Sequence, residues 1–315
     1  MRAIAIDEFG GPERLKLRDL SRPKPARGEV LIRVVAAGVN PVDWKIREGR
    51  LKDVLPHAFP LILGWDVAGV VEELGEQSGR FRKGERVFCY ARKPTVQWGA
   101  YAEYIAVPEK HAALMPTNLL FEEAASVPLA ALTAYQALFG KAAVGQGKAV
   151  LVHAAAGGVG HFAVQLARNA GARVFGTAGS ANQQFVLSMG AEAALDYTRE
   201  DFRESLRRLS PDGVDVVLDA VGGDVQSRSL DVLKRDGWIV SITDPLDMRQ
   251  LEARGIHGEY VFVEPNADQL KTLAGQMERG KLGTSVAKIY PLAEAAQAHL
   301  RSKEGHVRGK LVLAL

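Results

Sequence analysis

KAVLVHAAAGGVGHFAVQLARNAGARVFGT, residues Lys148 to Thr177, decides the fold. It reads as a short β-branched strand, a turn almost empty of side chain, an apolar stretch at helical spacing, and a second strand. Set against the dinucleotide fingerprint GxGxxG, the slots hold Ala155, Gly157 and Gly160, with alanine in the first. Gly157 lets the backbone approach a pyrophosphate, and Gly160 lets the helix pack closely on the strand. Gly158 and Val159 complete the turn, and the helix after it offers N–H groups and a positive dipole end to phosphates. The side chains are missing because a ligand takes their space. A bare glycine pattern is weak by itself. Here a strand precedes it, and an amphipathic helix follows, with Val159, Ala163, Leu166 and Ala167 on one face.

Around this unit, strand candidates KAVLVHA, ARVFGT, AALDY, VDVVLDA and WIVSIT alternate with helical stretches beginning near Gly158, Asn182, Arg199 and Val225. Such alternation predicts an α/β domain with a doubly wound parallel sheet. The first third has another texture: RAIAI, VLIRVVAAG, AGVVEELG, RVFCYA and YAEYIAVP are short strand-like runs between Gly, Pro and charged turns. EVLIRVVAAGV alternates partially, as half-buried antiparallel strands do. The C-terminal HVRGKLVLAL returns to strand character and is expected to rejoin the first domain. At 315 residues, two domains are the better prior.

Composition removes several function classes. Forty basic against 37 acidic side chains, scattered along the chain, form no stripe for a nucleic-acid backbone. No run approaches eighteen apolar residues, so no membrane span is expected, and MRAIAIDEFGG is unlike a secretory signal. A cytoplasmic protein is expected. The one cysteine, Cys89, excludes an internal disulfide and a cysteine-rich zinc site, and reads as a small buried hydrophobe.

Cofactor type follows from what stands near the end of the second strand. NAD sites place an acid there for the ribose hydroxyls, yet no acid lies between Arg173 and Glu192. That absence favours NADP, with Ser180, Asn182, helix N-terminal amides and Tyr197 left to hold the 2′-phosphate. Open α/β sheets bind ligands at the carboxyl ends of their strands, which selects Thr177, Val221 with Gly222, and Ser241 with Thr243.

HAAAGGVGHFAVQLAR, GVNPVDWKIREG, PLILGWDVAGVVEELG, GAYAEYIAVP and SVPLAALTAYQAL together resemble the medium-chain dehydrogenase/reductase superfamily, in its zinc-independent quinone oxidoreductase (ζ-crystallin-like) branch. The resemblance spans nearly the whole chain. It implies a GroES-like β-rich catalytic domain from residues 1–124 and 286–315, and a Rossmann domain over 125–285. It also implies a cofactor in the cleft between them and a homodimer that extends the Rossmann sheet. Thr133 matches a cofactor-contacting position, Tyr197 a tyrosine near the 2′-phosphate, and Phe262 and Val263 a segment passing the nicotinamide. Arg308 and Lys310 are read as reaching the phosphates or as a solvated face. The positions aligned with catalytic zinc ligands look like Asn40, Trp65 and a residue near Leu129, which make no zinc set. Without a Lewis acid, the reaction easiest for NADPH is hydride delivery to a quinone or an α,β-unsaturated carbonyl. Asn40 near the nicotinamide, Asp43 orienting its loop and Lys45 donating a hydrogen bond to the substrate oxygen form the catalytic candidates. The alternatives are an enoyl-thioester or other activated-alkene reductase and a non-enzymatic NADPH-binding sensor. His161 and His153 are read as packing residues, His153 by satisfying a backbone group.

Overall fold

The computed structural model describes residues 1–315, which divide into two compact units. The first comprises residues 1–132, 264–280 and 284–315, and the second residues 133–263 with 281–283. The second unit is thus shorter than the span 125–285, because residues 125–132 and 264–280 pack with the first.

The first unit is built on strand Glu29–Val39, whose two edges are paired differently. One edge runs antiparallel to Asp66–Leu74; the other takes Tyr104–Pro108 along its first half and Lys310–Ala314 along its second. The C-terminal segment therefore does rejoin this unit, inserting between Glu29–Val39 and Val286–Pro291. Register shifts between Leu31 and Ile32 and between Val34 and Ala36 mark bulges in the long strand. The sequence suggested a half-buried strand. In its central position both faces are covered, and only Arg33 is exposed. Burying side chains such as Leu31 and Ile32 contributes about 1.5–3 kcal/mol each. A second sheet joins Lys16–Asp19, Arg2–Ile6, His57–Ile62 and Val96–Trp98. Cys89 lies fully buried, and burial pushes its thiol far above the ordinary range.

The second unit is one parallel sheet of six strands, in chain order Ala149–Val152, Arg173–Ala178, Ala193–Asp196, Val214–Asp219, Leu233–Ser241 and His257–Tyr260. Their spatial order is third, second, first, fourth, fifth, sixth, so the sheet reverses direction between the first and fourth strands. This is the doubly wound arrangement whose ligand crevice lies at that reversal. Helices begin at Gly160, Gln183, Phe202 and Gly223, within three residues of the expected starts. The helix Gly160–Asn169 is less amphipathic than it reads: every residue from Gly160 to Ala167 is buried. Gln165 explains this. Its amide donates to Gly283 O (3.0 Å) and accepts from Gly283 N (2.7 Å), so the segment 281–283 covers the polar side of the helix.

Candidate functional site

The glycine turn is held from beneath. Ala155 N donates to Thr177 O (2.9 Å), Gly157 N to Ala154 O (2.8 Å), and Ala154 itself has a left-handed backbone, φ 50°. A Cβ on Gly160 would overlap the Ala154 carbonyl oxygen and stand 2.7 Å from Ala155 Cα. Glycine is therefore obligatory where helix and turn meet. A Cβ on Gly157 would meet only Ala154, at 3.1 Å. Neither a capping side chain nor an acid occupies the first turn of the helix. A turn without side chains at Gly157 and Gly158 and an uncapped helix N-terminus fit a diphosphate.

Thr177 is buried beneath this turn and does not line it. Its hydroxyl meets His153 Nδ1 (3.1 Å) and accepts from Ala154 N (3.3 Å). His153 Nε2 lies 2.9 Å from Ser229 Oγ, whose own proton goes to Val225 O (2.6 Å). The histidine thus satisfies two hydroxyls and no backbone group, and burial lowers its pKa to about 4, so it stays neutral. His161 is fully buried and packs on the turn with Nδ1 2.9 Å from Gly157 O.

At the carboxyl ends of the fourth and fifth strands, Asp219 organises both loops. One oxygen accepts from Val221 N (3.0 Å) and Gly222 N (2.8 Å), the other from Ser241 Oγ (3.0 Å) and Gln226 Nε2 (3.1 Å). Ser241 is fully buried with its proton committed to Asp219, and Thr243 N donates back to it (3.3 Å). Ser241 and Thr243 thus shape the rim, while Val221 is half-exposed on it. Asp219 and Gln226 are not among the residues the sequence selects, although Val221 and Gly222 beside Asp219 are. Thr133 is buried at the start of this unit, Phe262 is partly exposed, and Val263 is buried.

Near the second strand's end the structure brings in an acid from outside the window 173–192. Asp196, closing the neighbouring third strand, accepts from Ser180 Oγ, from Thr198 Oγ1 (2.6 Å) and from Thr198 N (3.0 Å). These donors hold its carboxyl below the usual range. Arg199 Nε stands 3.5 Å from the same carboxylate. Tyr197 is exposed beside it, and Asn182 stands at the N-cap position of the following helix, its backbone N–H bonded to Gly179 O (2.9 Å). Ser180 and Tyr197 do come together, but around an acid.

In the first unit, Asn40 begins the helix Pro41–Arg47. Its backbone N donates to Asp43 Oδ2 (2.7 Å), the reciprocal half of a capping box. Asn40 Nδ2 donates to Asp66 Oδ2 (2.8 Å), and Leu129 N to Asp66 Oδ1 (2.6 Å). Lys310 Nζ donates to Asn40 Oδ1, to Val39 O (3.2 Å) and to Asp66 Oδ2 (3.3 Å). Lys310 is therefore neither solvated nor a phosphate ligand: it is 3% exposed, sealed beside a fully buried carboxylate. Gly38 stands opposite Asp66 in the ladder, and a Cβ there would meet the Asp66 side chain at 2.8 Å. Lys45, on the same helix as Asp43, is half-buried, its ammonium 5.8 Å from the centre of the Trp44 ring.

The zinc-aligned positions do not fit a zinc ion. Asn40 is an amide, Trp65 a buried indole and Leu129 an aliphatic chain, and no three His, Cys, Asp or Glu side chains converge anywhere as ligands. The cation in the corner is the chain's own ammonium.

Residues 26–117 match the family described as alcohol dehydrogenase GroES-like domain, and residues 189–313 the family described as zinc-binding dehydrogenase. The chain is 35% identical to the quinone oxidoreductase of Mus musculus, covering 100% of this chain and 98% of that protein. It is 34% identical to the 2-methylene-furan-3-one reductase of Solanum lycopersicum, covering 99% of this chain and 79% of that one. Among solved structures, the Escherichia coli quinone oxidoreductase complexed with NADPH superposes with a TM-score of 0.90 at 30% identity, over 100% of both chains.

Proposed function

The chain belongs to the medium-chain dehydrogenase/reductase superfamily, in its quinone oxidoreductase branch, and from that premise we propose an NADPH-dependent, zinc-independent reductase of quinones and α,β-unsaturated carbonyls. NADPH supplies a hydride, and the electrophilic carbon of a conjugated carbonyl accepts it as negative charge spreads to oxygen. A proton then completes the hydroquinone or the saturated ketone. This chain's residues bind, orient and exclude water. The turn Ala155–Gly160 holds the diphosphate, and the loops tied by Asp219 shape the rest of the cofactor rim. Asn40 and Asp43 position the substrate end, and Lys45 donates a hydrogen bond to the developing oxyanion.

The observation that carries the metal-free reading is the Asn40 corner. An amide, a carboxylate and a buried ammonium satisfy one another there, leaving no thiolate or imidazole for a Lewis acid. The tomato relative's name, a reductase of a conjugated methylene ketone, supports extending the substrate class from quinones to enones. We infer a homodimer built on strand His257–Tyr260, the outermost of the parallel sheet.

The test is NADPH oxidation against a panel of quinones, enones and enoyl thioesters, with and without a strong chelator. Turnover of quinones and enones unaffected by the chelator is expected. Tight NADPH binding with no turnover on the whole panel points to a sensor, and loss of activity with the chelator overturns the metal-free chemistry.

A further inference from the structure

Behind Asp43 runs a line of buried polar side chains that the chemistry above does not use. Tyr101 OH lies 3.0 Å from Asp43 Oδ2 and 3.2 Å from His299 Nε2. Arg47 Nη1 lies 3.2 Å from His299 Nδ1. Tyr101, His299 and Asp43 are fully buried, and Arg47 is 1% exposed. The remaining Arg47 donors reach Gly10 O (3.1 Å) and Glu48 Oε1 (2.9 Å).

The direction of this line is fixed by elementary chemistry. A guanidinium only donates, so His299 Nδ1 must accept from Arg47. Burial and the Arg47 charge lower the His299 pKa to about 3, so the ring is neutral and its one proton sits on Nε2. That proton goes to the Tyr101 oxygen, and the Tyr101 hydroxyl in turn donates to Asp43. Asp43 Oδ2 accepts at once from Tyr101 and from Asn40 N, while Oδ1, also buried, has no partner.

We propose that Tyr101, His299 and Arg47 are positioning residues: a one-way hydrogen-bond chain that orients Asp43 and, through it, the Asn40 corner of the substrate site. The proposal rests on the assignment of that corner to substrate. It explains why four polar side chains from three segments are sealed together, Asp43 and Arg47 from one helix with Tyr101 and His299 from elsewhere: each satisfies the next, and the last anchors the N-terminus of Pro41–Arg47.

Asp43 is also where the chain can be read out. Burial raises its pKa to about 7; Asp66 adds repulsion, while Asn40 N, Lys310 and Tyr101 favour the anion. His299 and Arg47 stand behind Tyr101, completing the polar groups facing the carboxyl. A raised carboxyl pKa contributes stability that is complete below the unfolded value of 3.8 and is lost as pH rises through about 7. Above that pH the Asp43 carboxyl is an anion, and below it a neutral acid.

The experiment measures urea midpoints of full-length wild type, Tyr101→Phe, Asp43→Asn and the double variant from pH 5 to 8. Tyr101→Phe removes a donor that favours the Asp43 anion, so its deficit should grow with pH, and should become pH-independent in the Asp43→Asn background. A deficit that is already independent of pH in the wild-type background overturns the chain. His299→Gln, which keeps a donor toward Tyr101 and an acceptor toward Arg47, should retain the wild-type profile, whereas His299→Leu should not. In turnover assays Tyr101→Phe should lower kcat for a quinone at least threefold and leave the NADPH KM unchanged. A pH-growing deficit with unchanged kcat would sink the catalytic positioning role and the substrate-corner assignment while sparing the hydrogen-bond chain itself.

Discussion

Lys310→Met removes the ammonium in the Asn40 corner while keeping an apolar stem of similar reach. Asp66 would keep its bonds from Asn40 Nδ2 and Leu129 N, but its buried negative charge would lose its counter-charge. Asn40 Oδ1 and Val39 O would lose their donor as well. Breaking a buried ion pair from one side costs about 3–5 kcal/mol, because the stranded charge cannot reach water. Asp66→Asn strands the ammonium instead and costs a similar amount. If the two groups acted independently, the double variant would lose about 6–10 kcal/mol; if they compensate each other, it should fall short of that sum by at least about 2 kcal/mol. Urea unfolding followed by tryptophan fluorescence suits the measurement, since Trp44, Trp65 and Trp98 belong to the first unit and only Trp238 to the second. Additivity of the two substitutions within about 0.5 kcal/mol would refute the reasoning, since it would mean that ammonium and carboxylate do not interact.

Three further outcomes follow from the site. Gly160→Ala forces its methyl against Ala154 O and Ala155 Cα, so NADPH affinity measured by its bound fluorescence should fall about tenfold, or about 1.4 kcal/mol; an unchanged Kd contradicts the role of the turn. Asp196→Asn removes the negative charge shared by Ser180 and Thr198, so it should raise the NADPH-to-NADH ratio of kcat/KM, about fivefold or more at low ionic strength; an unaltered ratio places the 2′-phosphate away from Ser180. In light scattering the protein should show twice the 34.0 kDa chain mass, and Tyr260→Pro, which removes an N–H from the open edge of the outermost strand (the next N–H, of Val261, points inward to Ser241 O), should shift it toward monomer; a wild-type monomer disproves the inferred dimer.

What could be read in advance was local. The glycine turn, the strand before it and the helix after it lie within thirty consecutive residues, and each leaves its own signature of small, β-branched or periodic residues. The Asn40 corner leaves none. Asn40 meets Asp66 across 26 residues and Lys310 across 270, and His299 reaches Arg47 across 252. Nothing in RGKLVL distinguishes a buried lysine from a solvated one; pairing of Lys310–Ala314 with both Val286–Pro291 and Glu29–Val39 decides it. Asp196 escaped for a related reason. The acid was sought at the end of the second strand, but the third strand's end lies alongside, sixteen residues from Ser180 in sequence and bonded to it in space. Ser241 and Thr177 were rightly placed at strand ends, yet side-chain direction cannot be read from position, and both turn inward to brace loops.

The interleaved ladder of the first unit sets a timetable for biosynthesis. On the ribosome, Glu29–Val39 emerges early and can zip onto Asp66–Leu74, but along residues 36–39 its other edge stays open until Lys310–Ala314 arrives. In the interval the whole parallel sheet is made and can fold as a self-contained body. The nascent N-terminal sheet therefore carries, for most of translation, a raw hydrogen-bonding margin and an acid at Asp66 awaiting its counter-ion. Reductase competence arrives last, with the strand that closes both.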